Sequence, residues 1–178
     1  AADDATRARF FYMKGRTLID MDEYEKAVED LSRAVELTSD AAVAQGARYG
    51  RGVSLLKLQR FPAAVADLKE LLVSDNQELA ASARRMIGLA HLEMGREREA
   101  IDDYVALVAF AANAAERAEH MLVLAELHYG LRDFDQVEVV CRDILALDMA
   151  EAVQPAGAGT VGGGVPLAVI GFGQAVAA

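Results

Sequence analysis

The chain has 178 residues, a formal net charge of −10 and an isoelectric point near 4.7. An acidic surface repels phosphate backbones and anionic lipid heads, so nucleic acid is not an expected partner. Aromatics make up only 6%, tryptophan is absent and the single Cys141 allows no internal disulfide. That composition suits close-packed helices.

Phe10, Phe11, Lys14, Leu18 and Met21 follow the spacing of a buried helical stripe, with Lys14 as the exception. Tyr24, Ala27, Val28, Leu31, Ala34, Val35 and Leu37 predict a second helix. The acidic joint Asp20-Met21-Asp22-Glu23 suits the first turn of that second helix. The next joint is Gln59-Arg60-Phe61-Pro62, with Pro62 where a helix starts and no backbone N–H is needed. Gly95 in Met94-Gly95-Arg96 can take the left-handed conformation that ends a helix. The fourth joint is Gly130-Leu131-Arg132-Asp133. The four joints differ in composition and read as four different ways to close one short turn. Between the helix pairs, Ser39-Asp40, Ser74-Asp75-Asn76 and Asn113 supply N-capping residues.

The pairs themselves repeat. Gly15, Gly52, Gly88 and Ala125 are spaced by 37, 36 and 37 residues. Tyr24, Phe61, Glu97 and Phe134 keep the same register, as do Ala27, Ala64, Ala100 and Val137. A period in this range means stacked helical hairpins, each too small to bury its own apolar face. The expected division is a repeat domain over 1–151 and an uncharged Gly/Ala/Val-rich tail over 152–178.

That tail has no charged residue and holds seven of the 14 glycines and two of the three prolines. It cannot be a fifth hairpin of the same kind. Pro155 to Gly173 has the length of a membrane span, but its glycines, prolines and lack of flanking Lys or Arg argue against one. Two readings stay open: a flexible tail, or a segment that docks through Leu167, Val169, Ile170 and Phe172 on a partner or a neighbouring copy. The second allows a homo-oligomer.

With these residues aligned, the chain resembles the tetratricopeptide repeat family. The first repeat carries its pattern at Phe11, Gly15, Leu18, Tyr24, Ala27, Leu31 and Ala34. The second carries it at Gly52, Leu55, Phe61, Ala64, Leu68 and Leu71, with Arg48 as a departure. The third has Gly88, Ala100, Tyr104 and Leu107, with Arg84 and Glu97 as departures. The fourth has Met121, Ala125, Phe134, Cys141 and Ile144, with Val137 in place of alanine. The period exceeds the family's usual length of about 34 residues, so linkers or helix ends must be longer here. Longer units of this kind look like bacterial envelope repeat proteins. The start Ala1-Ala2-Asp3, without Met, fits a trimmed end or one left by signal peptidase. The compartment stays open between the bacterial envelope and the cytoplasm, with the balance toward the cytoplasm.

The resemblance implies an all-α, right-handed superhelical solenoid of four helix-turn-helix hairpins. It also implies a non-enzymatic adaptor or scaffold that binds another protein in a concave groove, within a multiprotein assembly. The alternative is a structural, self-assembling subunit whose tail packs on a neighbouring chain. Transferred by alignment, the groove holds Arg9, Tyr12, Arg16, Ile19 and Asp20, then Tyr49, Val53, Leu56 and Lys57. It continues through Ser82, Arg85, Leu89, Leu92 and Glu93 to Leu122, Glu126 and Tyr129. The tyrosines are aromatic anchors, and Arg9 and Arg16 suit acidic groups. The family's clamp for a C-terminal carboxylate is absent, because Tyr12, Arg16, Gly50, Ser82 and Met86 occupy its places.

No catalytic residue, metal site or cofactor is expected. His91 and His128 share one repeat position and read as packing histidines, since no convergent ligand set joins them. His120 is expected in solvent and Cys141 in the core. Asp102, Asp103, Glu97, Glu99, Asp22, Glu23 and Glu25 are expected on outward faces. Gly162-Gly163-Gly164 lacks the Lys-Ser/Thr of a phosphate loop.

Overall fold

In the computed structural model, which describes residues 3–152, eight helices follow one another as antiparallel pairs. They are α1 (Asp4–Asp20), α2 (Tyr24–Leu37), α3 (Ala41–Lys57), α4 (Phe61–Lys69), α5 (Gln77–Glu93), α6 (Glu97–Phe110), α7 (Ala114–Gly130) and α8 (Phe134–Ala152). No strand occurs among the described residues. Each helix packs on the next in the chain, and α1 also packs on α3, so the hairpins step along an axis as a solenoid. The tail residues Leu167, Val169, Ile170 and Phe172 lie outside the described residues.

The first helix of every hairpin is 17 residues long. Each is started by a side chain at one repeating place. Asp3 accepts from Thr6 N at 2.7 Å, Asp40 from Ala42 N at 2.9 Å, Asn76 from Leu79 N at 3.0 Å and Asn113 from Glu116 N at 2.8 Å. A short side-chain oxygen there satisfies an N–H that the helix leaves without a partner. These helices begin seven residues ahead of Phe11, Arg48, Arg84 and Met121, which hold the first pattern place of the four repeats. The longer period therefore sits in an extra turn at the front of each first helix.

The joints inside the hairpins are not four solutions but one. Asp22, Gln59, Gly95 and Arg132 all take positive φ, at 58°, 58°, 66° and 60°. In each case the residue's N–H reaches back three residues and the next N–H reaches back five. Asp22 N bonds Ile19 O at 3.0 Å and Glu23 N bonds Leu18 O at 2.8 Å; Arg132 and Asp133 repeat this on Tyr129 and His128. This double bond to the last helical carbonyls is the Schellman ending. Only one of the four places is glycine, because a left-handed residue is strained rather than forbidden for other side chains.

Small residues at the crossing of each pair bring the helices together. A Cβ on Gly15 would lie 2.6 Å from Leu31 Cγ, and one on Gly52 would lie 2.8 Å from Leu68 Cγ. Ala27, Ala64 and Ala100 are fully buried on the facing helices. The core is a chain of clusters, one per junction. Leu31 and Ala47 close the first, Leu68, Leu71 and Ile87 the second, and Tyr104, Leu107 and Leu124 the third. The stripe expected on α1 is split. Phe11 and Leu18 pack inward, whereas Phe10 and Met21 are each 60% exposed. No described hairpin lies in front of α1 to cover them.

Candidate partner-binding surface

The surface was built from the first helices α1, α3, α5 and α7, on which all the aligned groove residues lie. Arg9, Arg16, Asp20, Lys57, Leu89, Glu93, Leu122, Glu126 and Tyr129 are exposed. Tyr12, Val53, Tyr49 and Arg85 are half-buried. Tyr12 lies on α3, where a Cβ at Gly46 would come within 2.5 Å of its hydroxyl. The Arg16 guanidinium stands 5.8 Å from the Tyr12 ring centre, in cation–π range. Tyr49 and Leu56 pack on the second core cluster. The first two tyrosines thus already serve as seals between hairpins, while Tyr129 stays open and meets Phe134 edge-on at 5.8 Å.

Charge on this surface is partly used within the chain. Arg9 donates to Asp40 at 3.4 Å, and Arg85 lies 3.8 Å from Glu116. Arg16, Lys57, Asp20, Glu93 and Glu126 make no ion pair among the described residues. Hydrogen bonds from Ala42 N and Val43 N, and then from Arg9, hold the Asp40 carboxyl below its ordinary range.

Three expectations about titratable residues are overturned. His120 is not in solvent. It is 3% exposed, edge-on to Tyr104 with ring centres 6.1 Å apart, and its Nε2 lies 3.7 Å from Glu116. Burial pushes its pKa down, and the Arg85 charge pushes the same way. His120 takes the place that Ala47 and Ala83 hold in earlier repeats, on the helix face turned to the preceding hairpin. Asp103 is not on an outward face. It is buried, bonded to His91 Nδ1 at 2.8 Å and 3.6 Å from Arg84. Burial raises its pKa in spite of His91. Cys141, expected in the core, is exposed. Its counterparts Leu31, Leu68 and Tyr104 are buried partly by the first helix of the following hairpin, and none among the described residues follows α8.

Sequence reasoning also missed a repeating buried carboxylate. Asp30, Asp67 and Asp103 share one register on the second helices, and all three are buried. Lys14 reaches Asp30 at 2.8 Å, and Arg51 grips Asp67 at 2.6 and 2.5 Å. The anomalous Lys14 within an apolar stripe was the available signal. Its repeat counterpart is Arg51, and both bases stand 16 residues ahead of their aspartates. Arg51 also donates to Ser32 Oγ at 3.0 Å, which ties the second hairpin to the first.

No group of three or more His, Cys, Asp or Glu suited to a metal ion occurs among the described residues. No described helix is long and apolar enough to cross a membrane. A cleft of about 200 Å³ lies between α5 and α6 beside Leu72, Arg84 and Phe110.

An all-α solenoid of stacked hairpins is the architecture of a protein-interaction scaffold. The tetratricopeptide repeat profile matches residues 12–78 and again 49–115, together more than half of the chain. The chain belongs to the tetratricopeptide repeat family. Solved structures share its fold at low identity. The apo form of RapI matches with a TM-score of 0.68 at 12% identity, over 85% of this chain and 60% of that one. The chain therefore spans less than two thirds of RapI. MamA matches with a TM-score of 0.67 at 19% identity, over 82% of this chain and 80% of that one. BtubC from P. vanneervenii matches with a TM-score of 0.67 at 11% identity, over 93% and 72%. No curated protein sequence matches the chain.

Proposed function

We propose that this array is a non-enzymatic adaptor that holds a segment of a partner protein along the faces of α1, α3, α5 and α7. The supporting observation is the set of charged side chains there that form no ion pair among the described residues. Arg16 and Lys57 lie toward one end, with Asp20, Glu93 and Glu126 beside and beyond them. Unpaired charge of both signs on successive helices gives an extended segment a register as well as an affinity. Arg16 and Lys57 would hold acidic groups of that segment, and half-buried Tyr12 and Tyr49 would flank its apolar groups.

The test is affinity capture from the source cell followed by mass spectrometry. Wild type is compared with Arg16→Glu plus Lys57→Glu, and with Glu29→Lys on the exposed face of α2 as a control. The expected result is a co-purifying protein lost only from the double variant. Retention of every co-purifying protein by the double variant would refute the groove.

A further inference from the structure

The two ends of the solenoid carry the two halves of the interface used three times inside it. Within the chain, each first helix turns one face to the hairpin before it. On α3 that face is Ala47, Gly50 and Ser54; on α5 it is Ala83, Met86 and Ala90; on α7 it is His120, Val123 and Leu127. All are buried or half-buried. The same places on α1 are Phe10, Met13 and Thr17, and they are exposed, Met13 at 68%. The opposite half is equally regular. A Cβ on Gly50 would lie 3.2 Å from both Ile19 and Leu31, so these two form the receiving side. Their counterparts in the last hairpin are Tyr129, which is 66% exposed, and Cys141, with Leu145 next to them at 64%. Among the described residues nothing covers either face.

We infer that a second copy of this chain covers them, with α1 of one copy seated on α7 and α8 of another, so that the solenoid continues from copy to copy. Two observations favour a copy over another occupant. First, side-chain volumes compensate. Where the interior sets Gly50 against Leu31, the junction sets Met13 against Cys141, the smallest residue at that place on any second helix. Met86 packing on the Leu68 cluster shows that this interface accepts a methionine. Second, the charges are opposite. Helix α1 carries four cations and two carboxylates, whereas α8 up to Ala146 carries Asp135, Glu138 and Asp143 against Arg142 alone. Three of the α1 cations also pair within the chain, but the helix keeps a cationic excess, and a cationic first helix beside an acidic last helix favours head-to-tail contact over rear-to-rear contact. The contact joins two different surfaces, so it does not close at a dimer. It also differs from docking of the tail, because both halves lie within 3–152.

The test uses light scattering behind size exclusion over a dilution series of the full chain. Met13→Glu spoils the front face and Leu145→Glu the rear face, both at exposed places that leave the fold intact by circular dichroism. Wild type is expected to gain mass beyond a dimer as concentration rises. Each variant alone is expected to be monomeric, and an equal mixture to form a one-to-one dimer and nothing larger, through the one intact pair of faces. A wild type that stays monomeric, oligomers that survive in either variant, or a mixture that stays monomeric would overturn the inference. So would association seen only for a chain truncated behind Ala152, since the tail would then be the occupant.

Discussion

Arg51 holds Asp67 by two hydrogen bonds, from Nε and Nη2, inside the second hairpin, with both side chains largely out of solvent. The contact favours the charged guanidinium and raises its pKa further. Removing one member of such a pair leaves the other charged, desolvated and alone. Asp67→Ala should therefore lower stability by roughly 3 kcal/mol in urea titration. The double change Arg51→Met plus Asp67→Leu should recover most of that loss. Equal losses in the single and double variants would show that packing, not charge, dominates this site.

Gly52 meets Leu68 where α3 crosses α4. Leu68 is fully buried and cannot withdraw without disturbing Leu71 and Ile87. Gly52→Leu should cost about 1–3 kcal/mol through overpacking, and Ala27→Leu should cost a similar amount. Unchanged melting temperatures for both would argue against close approach at these crossings.

The left-handed turn residues make a reciprocal pair of tests. At Gly95 an added Cβ meets nothing within 4 Å, so only backbone strain separates glycine from alanine. Gly95→Ala should destabilise by about 1 kcal/mol. Gln59→Gly, at the same φ sign, should be neutral or stabilising, since relieved strain offsets the greater freedom of the unfolded chain. Calorimetry on the two variants reads the difference directly.

His120 gives stability a dependence on acid. Its folded pKa lies below its unfolded one, so the fold prefers the neutral ring. That contribution is complete above the unfolded value of about 6.5 and is lost as pH falls through the lower folded value. Arg85 on α5 disfavours the proton, Glu116 and Glu119 on α7 favour it, and Tyr104 on α6 covers the ring. Between about pH 7 and about pH 5, melting temperature should fall more steeply for wild type than for His120→Gln. Parallel curves would remove His120 from the account.

Much of the fold was legible because packing demands recur with the repeat. Gly15, Gly52 and Gly88 mark helix crossings, and Asp40, Asn76 and Asn113 mark helix starts, since each place needs a residue small enough or polar enough for local geometry. The candidate surface was legible only as a register. Alignment names Tyr12 and Tyr129 together, but Tyr12 is pressed on α3 while Tyr129 has no hairpin beyond it among the described residues.

By itself, the sequence determined the number of hairpins, their period and the class of protein, because helix periodicity and small crossing residues are local properties of the chain. Only the tertiary structure decided which members of an equivalent set are covered. Leu31 and Cys141, or Ala47 and Phe10, share a repeat position and differ in exposure, because burial in a solenoid comes from the neighbouring hairpin, and among the described residues the first and last hairpins have a neighbour on one side only. Tertiary structure likewise decided that Asp103 and His120 are interior, where contact with helices distant in sequence replaces the water that their polarity alone would lead one to expect.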